Sequence, residues 1–233
     1  MNVNFTAKPI NFKFGEYINK GFELLKRDFG NIFVAFLCCF VMGIIPFCGL
    51  LGVGNFYQYL RKLNRGQQAS PGEIFNFDKF MPYFILQLIV AGAVLVLYIP
   101  FIILMPMIAY TQGDDPSPWI GFLFFPFMLM GYAALIYFLL KGFYIPALIS
   151  LKDVTDIKTA WNVSKVMTKG NLVSIFLFSL VLVIIMYAGI LACGIGLLAT
   201  MPFVYVANYF AYEDALQQID HDEITEIGIT EKF

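Results

Sequence analysis

The sequence predicts an all-α polytopic membrane protein, a bundle of about six spans with interfacial amphipathic helices and an internal parallel repeat. Three observations carry that expectation. Of 233 residues, 60% are hydrophobic and only 13% are charged, outside the usual range of a soluble domain. Stretches such as Phe80 to Tyr110 leave no polar face to meet water. Basic residues cluster at the ends of the apolar runs and are missing from their middles.

Residues 1 to 13 are polar and Asn-rich and read as extended. From Phe14 to Phe29 the positions Phe14, Ile18, Gly21, Phe22, Leu25 and Phe29 recur at three- and four-residue steps, with Lys20, Glu23, Lys26 and Arg27 opposite. That spacing predicts an amphipathic helix on the membrane surface. No cleavable signal is visible, so the first span is expected to act as the insertion signal.

Asn31 to Tyr59 reads either as one long tilted span or as two short arms bent at Pro46-Phe47-Cys48-Gly49. Lys26 and Arg27 precede it, and Arg61, Lys62 and Arg65 follow. A single pass would put one cluster outside, against the positive-inside rule, so a hairpin is expected. Each arm of about 15 residues reaches only roughly 22 Å at helical rise, short enough to be thinned or re-entrant.

The segment 61–79 is basic and ends in a short helix, with Ser70-Pro71-Gly72-Glu73 fitting a capping box. Ile74, Phe75 and Phe77 are expected to dip into the interface. Met81 to Tyr110 and Trp119 to Leu140 form the third and fourth spans around the turn-rich 111–118 connector. Phe143 to Leu151 is expected as a kinked, interfacial extension around Pro146. Ile157 to Asn171 predicts a second cationic surface helix. Leu172 to Ala192 and the Pro202-broken run to Tyr212 close the bundle across a Cys193-Gly-Ile-Gly196 turn.

This arrangement places all fifteen Lys and Arg on one side. It therefore predicts a bacterial inner-membrane protein with both termini cytoplasmic. The divisions expected are a first repeat at 14–62, an inserted hairpin at 63–151, a second repeat at 152–212 and an acidic cytoplasmic tail at 213–233.

The repeat rests on specific matches. Ile18, Phe22 and Lys26 fall on Ile157, Trp161 and Lys165 at constant offset. Gly30-Asn31 matches Gly170-Asn171 after a one-residue slip, and Cys48-Gly49 matches Cys193-Gly194. Two copies entering from the same side make a parallel repeat.

Trp161 with Lys165, Gly170-Asn171, Gly194-x-Gly196, Pro202 and the aromatic end from Tyr209 to Tyr212 resemble a family of bacterial integral membrane proteins of unknown function. Arg65-Gly66 leading to Ile74-Phe75 fits the same pattern. That family is related to the membrane domain fused to some glycerophosphodiester phosphodiesterases. The resemblance implies a six-helix bundle with surface helices and implies no chemistry. The carotenoid-oxygenase activity attached to some relatives needs several iron-binding histidines, and this chain has His221 alone.

No enzyme, cofactor or metal site is expected. His221 lies in the charge run Asp220-His221-Asp222-Glu223, and Asp114-Asp115-Pro116 reads as turn chemistry. Serine and cysteine nucleophiles lack a histidine base. No charged residue falls mid-span, against ion coupling, and no basic patch suits nucleic acid. Cys48 and Cys193 are candidates for a disulfide between the repeats; small side chains suited to crowded turns are the alternative. Asn55, Gln58, Gln87 and Asn208 are the polar residues expected to join helices.

The partners expected are membrane lipids and other membrane proteins. The candidate interface residues are Phe22 and Lys26, Trp161 and Lys165, and in the tail Asp220, Glu223, Ile224 and Ile227. The tail reads either as solvated chain or as a docking segment that orders on a partner. The expected function is that of an accessory or scaffold subunit of a larger membrane assembly. The alternative is a transporter or scramblase of a lipid-like molecule, which requires a lateral groove between the repeats.

Overall fold

The computed structural model describes residues 8–112, 118–191 and 196–230. They form α1 (Phe14–Ile44), α2 (Gly49–Asn64), a 3-10 turn (Pro71–Phe75), α3 (Phe80–Gln112), α4 (Pro118–Lys141), α5 (Ile145–Lys152), α6 (Ile157–Met167), α7 (Leu172–Leu191) and α8 (Leu197–Thr230). Among the described residues the regular structure is entirely helical. Four stretches of the described residues are long and apolar enough to cross a bilayer: Phe14–Ile44, Phe80–Ile99, Phe125–Lys152 and Leu172–Leu191.

The expected surface helix and first arm follow one another in α1 as two helical stretches joined across a kink. α1 runs through Gly30-Asn31 and bends at Asp28 instead, where φ is −125° and ψ is 32°. Of the stripe expected from spacing, Gly21 and Leu25 are buried with Tyr17 and Leu24, and Phe14 and Ile18 pack against the core, but Phe22 and Phe29 turn outward. The cause is close approach to α8. A Cβ on Gly21 would sit 3.2 Å from the Ala207 Cα, so the helix turns its smallest residue inward. Phe22 is thereby left 61% exposed and Phe29 42% exposed.

α1 and α2 do form a hairpin, with Phe47 in the left-handed region at φ 61°. Its turn satisfies its own backbone, as apolar surroundings demand. Ile45 N donates to Met42 O at 3.2 Å, and Cys48 N to Ile45 O at 3.1 Å. Gly52 admits Met42 and Gly54 admits Tyr83 of α3. α2 has 16 residues, which at helical rise is ~24 Å, short of a ~30 Å hydrocarbon core.

Ser70 makes no side-chain cap, and Glu73 pairs with Lys62 at 3.0 Å rather than reaching back. The capping box is thus replaced by an ion pair to α2. Ile74 is fully buried in the core while Phe75 and Phe77 stay exposed. α5 is likewise interior: Ile145 and Ala147 to Leu151 are all buried, so the stretch around Pro146 is core rather than interface.

α3 and α4 pair through the Tyr98 and Tyr132 hydroxyls at 2.6 Å and through Leu97 against Gly131. Elsewhere they present apolar side chains outward, among them Val96, Ile103, Phe125 and Met130. The core lies among α1, α2, α5, α6, α7 and α8, joined by Tyr83 at the start of α3. It is rich in aromatic side chains: Tyr17, Tyr59, Tyr83, Tyr144 and Tyr209 are fully buried. Tyr212 packs on Tyr57 and on Phe143, both with ring centroids at 5.1 Å.

α6 starts at an N-cap, Asp156, whose carboxylate accepts from Thr159 N at 2.9 Å. Hydrogen bonds from the Thr159 hydroxyl and then its backbone N–H hold this carboxyl below the ordinary aspartate range. The cap is therefore complete above the ordinary aspartate pKa and is lost as pH falls through the lowered one. Acidification below the aspartate range is expected to fray the start of α6, read as faster amide exchange at Thr159 and Ala160. Asp156→Ala should show that exchange already at neutral pH.

After α6 the chain turns at Gly170, with φ 83°, before α7 begins. Gly30 is helical, two residues past the Asp28 kink, so the two halves differ in geometry at their matched Gly-Asn positions. Asn171 Nδ2 donates to Ile10 O, tying the N-terminal segment to this turn, whereas Asn31 O accepts from the Tyr59 hydroxyl.

Candidate functional site

One end of the bundle is braced by charge. Glu213 of α8, expected at the start of a solvated tail, is 5% exposed. Arg61 of α2 approaches its Oε2 with Nε at 2.8 Å and Nη2 at 2.6 Å. Arg65, one turn on, reaches Oε1 at 2.9 Å. The i, i+4 spacing of the two arginines puts both guanidiniums on one face of α2, and the carboxylate is shared between them. Burial is tolerable because both oxygens are engaged.

The same arginine serves α5. Arg61 Nη1 donates to Leu151 O at 2.8 Å, while Gln58 Nε2 and Lys79 Nζ each donate to Ser150 O at 2.8 Å. A short buried helix leaves its last carbonyls unpaired and partly negative, and here cations and an amide from α2 and the 76–79 segment meet them. Tyr83 adds its hydroxyl to Pro146 O at 3.2 Å and to the Ser150 hydroxyl. Asn55 plays the matching part for the 3-10 turn, donating to Ile74 O at 2.9 Å and Asn76 O at 2.7 Å.

Asp214, next along α8, receives the Tyr17 hydroxyl at 2.7 Å and Gln218 Nε2 at 2.6 Å, with Lys13 Nζ at 3.4 Å. Gln218 also brackets the backbone of Asn11. Further along, Lys152 pairs with Asp220, and Lys79 with Asp153. Residues 11–17, 58–65, 79, 150–153 and 213–220 thus meet at one end. Beside them opens a mixed-charge cleft of about 450 Å³ between α1 and α8, lined by Lys20, Glu23, Arg27, Asn64, Glu213 and Asp214.

A second concavity is apolar and lies between the hairpins. It has a volume of about 590 Å³ and is lined by Phe36 and Phe40 of α1, Leu50 of α2, Gln87 of α3, Met186 of α7 and Tyr205 of α8. Phe40 and Ile44 stand exposed on its rim. Gln87 Oε1 is buried and has no hydrogen-bond partner among the described residues.

The expected interface residues divide. Phe22 and Lys26 are exposed one turn apart on α1. Trp161 is half-buried, its ring 6.0 Å from Phe138 of α4, and Lys165 is exposed on α6. They do not form one patch with Asp220, which is bound to Lys152. The backbone carrying Glu223, Ile224 and Ile227 continues α8 as helix to Thr230; their side chains, and that of His221, lie outside the described residues. Cys48 is a buried free thiol. Cys193, Asp114 and Asp115 lie outside the described residues.

The Glu213 brace was not anticipated. Its signal was available: Arg61 and Arg65 at i, i+4 after one apolar run, and a carboxylate directly after another. Comparison with protein-family models, characterised proteins and solved structures returns no match.

Proposed function

We propose that this chain is a non-catalytic inner-membrane protein acting as an accessory or scaffold subunit, with six membrane-embedded segments and both termini cytoplasmic. The observation that carries the reading is the braced end. Ion pairs and carbonyl caps lock α1, α2, α5 and α8 into one platform, the rigidity expected of a surface that presents contacts to a partner. Exposed Phe22 with Lys26 on α1 supplies an apolar and cationic pair on that platform. Gathering the basic residues of α1, α2 and α5 at one end supports the single-sided topology under the positive-inside rule. The α1–α2 and α7–α8 hairpins are the two copies of the proposed repeat, and the kinship with membrane domains fused to phosphodiesterases belongs to the same proposal.

Affinity purification of the full chain from native membranes in mild detergent tests it. A stoichiometric membrane protein should co-purify and be lost with F22A/K26E. A solitary monomer from several mild detergents would sink the subunit reading.

A second reading has its own observation. The apolar groove between the α1–α2 and α7–α8 hairpins opens sideways past Phe40 and Ile44, as a transporter or scramblase of a lipid-like molecule requires. Fluorescent-lipid scrambling in proteoliposomes decides it, and rates equal to empty vesicles would remove it.

A further inference from the structure

The basic residues differ in what holds them. On α1, α2 and α5 the chain's own carboxylates engage most of them: Lys20 by Glu16, Arg27 by Asp28, Arg61 and Arg65 by Glu213, Lys62 by Glu73 and Lys152 by Asp220, whereas Lys26 of α1 is exposed with no salt bridge among the described residues. Along α6 and the turn after it the pattern stops. Lys158, Lys165 and Lys169 are exposed and form no salt bridge among the described residues. Lys158, Asn162 and Lys165 occupy steps i, i+4 and i+7, a single stripe on α6, and Lys169 follows in the turn after the helix. The opposite face, Ala160, Val163, Ser164 and Met167, is buried. The acidic group near the stripe is Asp156, at its N-terminal end, whose carboxylate is engaged by Thr159.

The stripe lies where the polar end gives way to an apolar wall. Trp161 flanks it, packed on Phe138, and Lys141 lies 5.6 Å over the Tyr137 ring of α4. Immediately beyond Lys169 the exposed side chains of α7 become Val173, Phe176 and Leu177. A ligand covering this surface must present negative charge and hydrocarbon side by side.

We infer that Lys158, Lys165 and Lys169 form a binding surface for anionic phospholipid headgroups, with Trp161 anchoring α6 at headgroup level. The inference rests on the membrane-spanning reading and is independent of the subunit role. Each lysine beside an anionic leaflet contributes roughly fivefold in affinity at low salt, and the effect weakens as ions screen it.

The test reconstitutes the full chain in phosphatidylcholine bilayers containing phosphatidylglycerol and measures preference with spin-labelled versions of both lipids. The wild-type chain should favour phosphatidylglycerol several-fold, less so in high salt. K158Q/K165Q/K169Q should lose most of that preference, K158R/K165R/K169R should keep it, and K20Q should leave it unchanged. An unchanged preference in the glutamine variant overturns the inference, as does loss in the arginine variant. If the glutamine variant fails to fold, a wild-type preference indifferent to salt overturns it instead. Displacement of the preference by soluble polyglutamate at low concentration would assign the surface to an acidic protein and equally overturn it. Carbonate extraction separates the two readings. A chain released from membranes fails the spanning reading, whereas one retained without lipid preference fails only this inference.

Discussion

Glu213→Ala is expected to be the most damaging single side-chain truncation at the braced end, costing about 3 kcal/mol of stability. The carboxylate is buried, and its removal leaves Arg61, only 21% exposed at its side chain, without its counter-charge. Arg65 suffers less, since at 52% exposure water can replace the lost partner. The effect spreads because Arg61 also holds Leu151 O, so the α5 terminus loosens with it. Thermal unfolding in detergent should show a large fall in midpoint for Glu213→Ala. Glu213→Gln should fall between, keeping hydrogen bonds but not charge. The decisive comparison is the double variant Arg61→Met/Glu213→Leu, which removes both charges and should be more stable than either single change. If the double variant loses the sum of the two single losses, the pair is not coupled and the brace is not what holds this end.

How much of this was legible in the sequence depends on what each signal reports. Composition and run length report burial in lipid, so α3, α4 and α7 are found close to their expected limits. The α1–α2 hairpin followed from charge, because Lys26, Arg27, Arg61 and Arg65 sit on both sides of an apolar run with Pro46 in its middle. Periodicity was a poorer guide. In α1 it put Gly21, Phe22 and Leu25 on one apolar face, yet close approach to α8 buries Gly21 and Leu25 and leaves Phe22 exposed. A helix that meets both solvents carries no single apolar stripe to read.

Polar partners were the least legible. Ser70 and Glu73 satisfy a local capping pattern, but Lys62 offers Glu73 a charged partner across the turn, and the ion pair wins. Glu213 and Asp214 look like the head of an acidic tail until the arginines of α2 and the Tyr17 hydroxyl are brought to them. Such pairs join residues about 150 to 200 positions apart, and no local spacing announces them. The lysines of α6 and of the turn after it were readable as a cationic face; that they form no salt bridge among the described residues, while Lys20, Arg61, Arg65 and Lys152 do, required the fold.

Gly54→Ala is expected to disrupt the packing of α2 against α3. A Cβ built there lies 2.2 Å from the Tyr83 hydroxyl oxygen, 2.4 Å from Cζ and 2.5 Å from Cε2. The ring cannot swing aside cheaply, because Tyr83 is fully buried and its hydroxyl is bound to Pro146 O and the Ser150 hydroxyl. Moving it strips those partners from α5, and moving α2 instead strains the Arg61 and Gln58 caps on the same helix. Overpacking of this kind costs about 3 kcal/mol, at the upper end of its usual range. Tyr83→Phe alone should cost about 1 kcal/mol through lost hydrogen bonds and should not rescue Gly54→Ala, since Cζ remains in the way. Tyr83→Leu removes the ring and should rescue it, so that Gly54→Ala costs far less in that background than in the wild type. Equal losses in the two backgrounds, measured by thermal unfolding in one detergent, would show that the helices do not meet at this glycine.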